Sequence, residues 1–334
     1  MCCKIEKVII VLISLILSIG CQHPEQWYKV EGDINTKCAH GDPYSFWVHY
    51  GTEKKLIIFF QGGGVCWNGE NCSLDSQAYN HCVECGDNNP NEMKGIFELD
   101  NNQNPFSSYS FVVIPYCTAD FHWGSNLKYY WKDGERYLIN HQGFVNATST
   151  LEWIYEHFLD PEIVLITGCS AGSGGAIFHT PYIINNYPNS RITQLGDSGV
   201  IFPPSFDFDS KFGALQNFPI WTRIIPPEKS GISSPGFDLS KYYILLANRY
   251  PDITFAQISH DTDATQLLFY RKFDEWDPDK FTIITNNLER IREKTAGNFQ
   301  YFLLRGIKHC TLPSDEFLNN YEIRNWVFEL VETE

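Results

Sequence analysis

Uninterrupted apolar runs recur along the chain at 56–60, 111–115, 163–167, 253–258 and 299–304. Short runs without polar alternation are expected of strands buried on both faces. Between them the spacing changes. Residues 145–158 place Leu151, Ile154, Tyr155 and Phe158 three and four apart, and residues 315–331 do the same with Phe317, Leu318, Tyr321, Trp326, Val327 and Leu330. That spacing predicts two helices. Strands alternating with helices imply a mostly parallel sheet covered on both sides, whose active site lies at the carboxyl ends of the strands. Two stretches have neither period. Residues 68–104, with many Asn, Cys and Gly, predict a disulfide-pinned loop excursion; residues 202–235, rich in Pro and aromatics, fit either a cap over a pocket or irregular surface structure. With no internal repeat and no long linker, residues 21–334 read as one α/β domain with elaborate loops.

The first twenty residues stand apart. Lys4 and Lys7 precede an uncharged apolar run at 8–19 that ends in Gly20-Cys21. About a dozen apolar residues are too few for a helix to cross a roughly 30 Å hydrocarbon core, so the pattern predicts a cleaved export signal and a secreted or extracytoplasmic chain, with no transmembrane span. A small residue before a cysteine also fits a lipoprotein site with Cys21 lipidated, although Ser18 is not the bulky residue expected three positions earlier. Beyond Cys21 lie eight of the 11 cysteines, an even set that predicts disulfides in an exported chain while leaving 105 pairings open. A zinc site at Cys66, Cys72, His81, Cys82 and Cys85 is the rival reading, but it rests on one Cys-x-x-Cys with irregular flanking spacings. Asn71-Cys-Ser and Asn146-Ala-Thr are glycosylation sequons, meaningful only in a eukaryotic host. The formal charge of −15 repels polyanions and excludes nucleic acid as a partner.

The strongest chemical signal follows the run at 163–167: Gly168-Cys169-Ser170-Ala171-Gly172, then small residues, then Ile177 and Phe178. A buried strand, Gly-x-Ser-x-Gly and a helix form the sharp turn that lifts a serine hydroxyl above a sheet, so Ser170 is the expected nucleophile. A serine hydroxyl needs a base, itself oriented by a carboxylate, and on this α/β-hydrolase-like arrangement both come later in the chain. Only His179, His260 and His309 follow Ser170. His179 lies about 13 Å along the elbow helix and points away from the turn, which makes it structural. His309 comes after the last strand and before the last helix, where a catalytic histidine loop belongs. For the acid, Asp261 and Asp263 both follow the penultimate strand, and Asp197 ends another apolar run; position does not separate Asp261 from Asp263, and a carboxylate there could equally cap the helix starting near Ala264. The third requirement is a set of donors for the oxyanion. Gln61-Gly62-Gly63-Gly64 ends the first run, and its amides together with that of Ala171 would supply one. No Lys-Ser/Thr follows these glycines, which argues against a phosphate loop.

Taken together, these residues resemble the pectin acetylesterase and Notum family of extracellular carboxylesterases. The resemblance is carried by Phe60-Gln-Gly-Gly-Gly-Val-Cys66, Tyr116-Cys117, Gly168-Cys-Ser-Ala-Gly172, Asp197-Ser-Gly199, Asp263-Ala-Thr-Gln266 and His309-Cys310. It implies an α/β-hydrolase-like fold and a triad of Ser170, Asp263 and His309, preferring Asp263 over Asp261. It also implies oxyanion donors at Gly63, Gly64 and Ala171, and neither metal nor cofactor. The chain departs from the family at Gln61, at Gly64-Val65 where an aromatic is usual, and at Ser173-Gly174-Gly175, so acyl preference does not transfer. The expected activity is a carbohydrate O-acetylesterase acting on an O-acetylated polysaccharide or oligosaccharide. Alternatives are a Notum-like esterase removing a fatty acyl group and an inactive glycan-binding protein.

Overall fold

The computed structural model describes residues 27–84, 88–199, 239–273 and 282–333. The expected signal, Cys21, Cys85 and the stretch at 202–235 lie outside the described residues.

Eight strands form one sheet in the order β1-β2-β4-β3-β7-β8-β9-β10. They are β1 (Tyr28–Glu31), β2 (Ser45–His49), β3 (Lys55–Phe60), β4 (Ser110–Ile114), β7 (Ile163–Cys169), β8 (Arg191–Asp197), β9 (Thr254–His260) and β10 (Phe299–Leu304). From β4 to β10 every neighbouring pair is parallel, while β1 and β2 add an antiparallel edge. A separate hairpin, β5 (Asn126–Lys132) with β6 (Glu135–His141), stands off the sheet.

The apolar runs are continuous because the sheet is covered twice. Leu56, Ile58, Phe60, Val164 and Ile166 pack with Ala147, Leu151 and Ile154 of helix α1 (Gly143–His157) and Ala176 and Ile183 of α2 (Ala171–Asn186). The alternate residues Ile57, Phe59, Ile163 and Leu165 pack on the other face with Phe317, Leu318, Ile323, Val327 and Leu330. Both faces of each strand are therefore apolar, the pattern of a buried parallel sheet. A third cluster gathers α3 (Leu239–Arg249), α4 (Ala264–Phe273) and α5 (Ile283–Glu293) beside α2.

One expectation needs correction, and two open readings close. The single helix at 315–331 is two, α6 (Asp315–Asn319) and α7 (Tyr321–Glu332). Asn320 breaks it by leaving the helical conformation and accepting the N–H groups of Glu322 and Ile323 on its side chain, an N-cap that apolar spacing cannot reveal. The zinc reading fails because Cys66 and Cys72 are bonded to each other, and Cys82 is also oxidised. Asn146 is no glycan acceptor in the folded chain: it is 2% exposed, its amide nitrogen donates to the Lys37 carbonyl and its oxygen accepts the Lys37 N–H. Among the described residues no helix is long and apolar enough to cross a membrane.

Candidate active site

The carboxyl ends of β3, β7, β8, β9 and β10 lie along one edge of the parallel sheet, and every candidate residue follows one of them. At the end of β7 the chain turns into α2 through Ser170, whose φ of 56° and ψ of −123° put a residue with a Cβ in the sparsely populated left-handed half of conformational space. This is the strained strand-to-helix turn expected for an exposed nucleophile. The Ser170 N–H bonds the Asp197 carbonyl at 2.8 Å, so β8 holds the turn from the side.

Beyond β9, Asp263 is fully buried and spends both carboxylate oxygens. One accepts the N–H groups of Thr265 and Gln266, capping α4, and the other accepts the Gln266 amide at 2.9 Å and lies 2.7 Å from His309 Nδ1. The cap and the histidine partner, alternatives on the sequence, are the same residue. Burial alone would raise the Asp263 pKa, but the His309 contact and the amide donors hold it below the ordinary value. An ionised carboxylate only accepts, so Nδ1 carries the proton and the neutral ring keeps its lone pair on Nε2. Nε2 is buried with no hydrogen-bond partner among the described residues. His309 and Ser170 line the same two cavities.

The other candidates have different employment. Asp261 accepts the Gly306 N–H at 3.0 Å and thereby shapes the loop leading to His309. His260 is buried, with Nε2 3.2 Å from Glu316. His179 is buried in α2 and bonds the His122 carbonyl. Asp197 accepts the N–H groups of Thr311 and Leu312, both at 2.7 Å, and the Ser198 hydroxyl, while Ser198 accepts the Cys310 N–H. Asp197 thus anchors the far side of the histidine loop.

The glycine run after β3 presses on the elbow. A Cβ at Gly62 would lie 2.4 Å from the Cys169 carbonyl oxygen and 2.8 Å from Ser170 Cβ, so only glycine permits the approach. Gly64 has φ 78°, a left-handed conformation. The amides of Gly63, Gly64 and Ala171 have no acceptor among the described residues. Three unpaired N–H groups beside a serine hydroxyl are the kind of donor set that can stabilise a tetrahedral oxyanion.

Two spaces of unlike size meet at Ser170 and His309. One, of about 30 Å³, is bounded by Val65, Phe121, Ala171 and Phe269. The other, of about 530 Å³, opens past Asn80, Asn89, Glu92, Lys94 and Ser314 and also past Met93, Phe269 and Pro313. Sequence reasoning missed Phe121, His122 and Asn80; only Tyr116-Cys117 just upstream gave a signal for that loop.

The pectinacetylesterase profile matches residues 27–218. Over 176 residues the chain is 23% identical to palmitoleoyl-protein carboxylesterase NOTUM of Mus musculus, covering 50% of this chain and 34% of that protein. Over 174 residues it is 25% identical to pectin acetylesterase 5 of Arabidopsis thaliana, covering 49% of this chain and 39% of that one. The matches therefore span little more than a third of these relatives. The structure of the Wnt deacylase Notum from Drosophila superposes with a TM-score of 0.63 at 16% identity, over 92% of this chain and 93% of that one, so the two share a fold. With more than half of its residues inside the profile, the chain belongs to the pectinacetylesterase family.

Proposed function

We propose that the protein is an exported serine carboxylesterase that removes acetyl groups from a polyhydroxylated, carbohydrate-like alcohol. Ser170 Oγ attacks the acetyl carbonyl and gives its proton to His309 Nε2, while Asp263 holds the imidazole and offsets the charge it gains. Gly63, Gly64 and Ala171 take the oxyanion. As the tetrahedral intermediate collapses, the alcohol leaves with the proton from His309, and the acetyl group stays on Ser170. Water, losing a proton to His309, then releases acetate and restores the serine hydroxyl.

The observation that carries this reading is the inequality of the two spaces at Ser170. A water-sized group needs about 10–15 Å³ of such volume. The mostly apolar space of about 30 Å³ therefore fits an acetyl group and favours it over a fatty chain. The wider space, edged by amides, a carboxylate and an ammonium beside Met93, Phe269 and Pro313, has room for a hydroxylated leaving group. Membership of the pectinacetylesterase family supports carboxylic ester hydrolysis, and the three disulfides among the described residues support export.

A series of 4-nitrophenyl esters from two to sixteen carbons, with acetate release from acetylated glycans, tests it. Highest kcat/KM on the acetyl ester is expected, and a maximum at eight carbons or longer would overturn it in favour of fatty-acyl removal. Ser170→Ala should lower kcat by roughly 10³-fold or more; full activity in that variant would remove the nucleophile assignment.

A further inference from the structure

We propose that His122 is a positioning residue for the oxyanion loop: its ring N–H grips the Gln61 carbonyl and so aims the free amides of the glycine run. The inference rests on the reading of Gly63 and Gly64 as oxyanion donors given above.

His122 Nε2 lies 2.8 Å from the Gln61 carbonyl oxygen. A carbonyl can only accept, so this nitrogen carries the proton. In a planar trans peptide the N–H points opposite to the C=O, so fixing the Gln61 carbonyl also fixes the Gly62 N–H. Two positions on, the Asn80 N–H bonds the Gly63 carbonyl at 2.8 Å and fixes the Gly64 N–H in the same way. The Gly62–Gly63 peptide lies between these two clamps. Glycines left unheld would swing through many conformations, and donors that must wait for the right one lose their preorganisation. One clamp is backbone and comes with the bridge between Gly64 and Tyr79. The other is a side chain.

The surroundings of His122 exceed what filling space requires. Ala119, Phe121 and His122 have φ of 60°, 56° and 61°, three left-handed residues with side chains within four positions. Such conformations persist only where neighbours over-determine them. The neighbours are present: the buried Asp120 carboxylate accepts the Thr118 hydroxyl and the N–H groups of His122 and Gly143, the Tyr116 hydroxyl accepts the Phe121 N–H, and His179 bonds the His122 carbonyl at 2.9 Å. The elbow helix gives way as well. A Cβ at Gly175 would lie 2.7 Å from His122 Cδ2, which accounts for glycine at that position. Burial drives the His122 pKa down to about 3, so the ring stays a neutral donor wherever ester hydrolysis is assayed. The same loop supplies Phe121 to the acyl space, so one strained turn shapes both the pocket wall and the oxyanion donors.

The test compares His122→Phe, which keeps a ring against Phe60 and Tyr116 but has no donor, with His122→Gln, whose amide can reach the same carbonyl. Both are assayed as the full chain on an acetyl ester, with thermal unfolding measured alongside. The third readout is the affinity of a trifluoromethyl ketone, which forms an oxyanion on the serine. For His122→Phe we expect kcat to fall about 10- to 100-fold with KM little changed. The ketone should weaken by a similar factor, and His122→Gln should recover most of both. Wild-type kcat in His122→Phe overturns the inference. So does a loss of kcat that leaves ketone affinity intact and is not relieved in His122→Gln, since that pattern belongs to packing. If Ser170→Ala remains active the site reading itself fails; if Ser170→Ala is dead while His122→Phe is unaffected, only this inference does.

Discussion

Cys169 and Cys310, 141 positions apart, are joined in a disulfide that links the residue before Ser170 to the residue after His309. The proposed nucleophile and base follow different strands, β7 and β10, and this bond ties their two loops together. In the chain-entropy account, closing a loop of that length removes about 5 kcal/mol of freedom from the unfolded chain. Cys169→Ser with Cys310→Ser should therefore lower Tm by roughly 5–10 °C. It should also lower kcat, because the separation of Ser170 and His309 is then held by weaker bonds alone. Calorimetry and ester kinetics on the double variant check both. An unchanged kcat would mean that Asp197, gripping Thr311 and Leu312 from β8, sets the histidine loop without help.

Asp263 and Asp261 differ by two positions and by everything that matters to the base. Asp263→Asn puts an amide against His309 Nδ1 and removes the charge that stabilises the imidazolium, so kcat should fall about 10²- to 10⁴-fold. Asp261→Asn weakens the bonds that Asp261 accepts from the Gly306 N–H and the Thr262 hydroxyl, which predicts near-parental kcat and about 1 kcal/mol of lost stability. Steady-state kinetics on the two variants decide the point, and the reverse pattern would exchange their roles.

What could be read from the chain follows from how local each constraint is. The turn at Ser170 was legible because it is built from neighbours: a strand, two glycines and a helix start within ten residues. That His309 sits beside the elbow was legible from its place after the last strand. The choice between Asp261 and Asp263 was not, since it depends on which carboxylate meets a ring 46 positions away. His122 gave no signal, its partner Gln61 being 61 positions distant. The edge strands β1 and β2 were missed because they are short, β1 alternates between half-buried and exposed residues, and neither forms a long apolar run. Asn320 breaks the last helix by a side-chain cap, invisible to hydrophobic spacing alone. Cysteine pairing is fixed by topology, so eight residues on a line could not disclose it.

Phe121 bounds the small space beside Ser170 and sits on the strained loop at φ 56°. Phe121→Ala removes a wall without adding a polar group. Accommodating one or two further methylenes is worth about tenfold or more in discrimination, so kcat/KM for butanoyl over acetyl esters should rise by about that factor. Chain-length profiles of parent and variant give the answer directly. An unaltered profile would assign the limit on acyl length to Phe269 or Val65 instead.

Asp197 predicts a pH signature separate from catalysis. An unfolded aspartate titrates near 4, whereas burial, partly opposed by the Leu312 and Thr311 N–H groups, His309 and Ser198, lifts this one to about 6. A carboxyl whose folded pKa is raised binds its proton more tightly in the native state. Its contribution to stability is therefore fully present below about pH 4 and is lost as pH rises through about 6. Asp120, buried and raised to about 7, adds to the same trend. Tm measured from pH 4 to pH 8 should carry a falling component in the parent that is smaller in Asp197→Asn, whose side chain does not ionise. Parallel profiles for the two proteins would show that Asp197 is already charged at pH 4, its three donors outweighing the cost of burial.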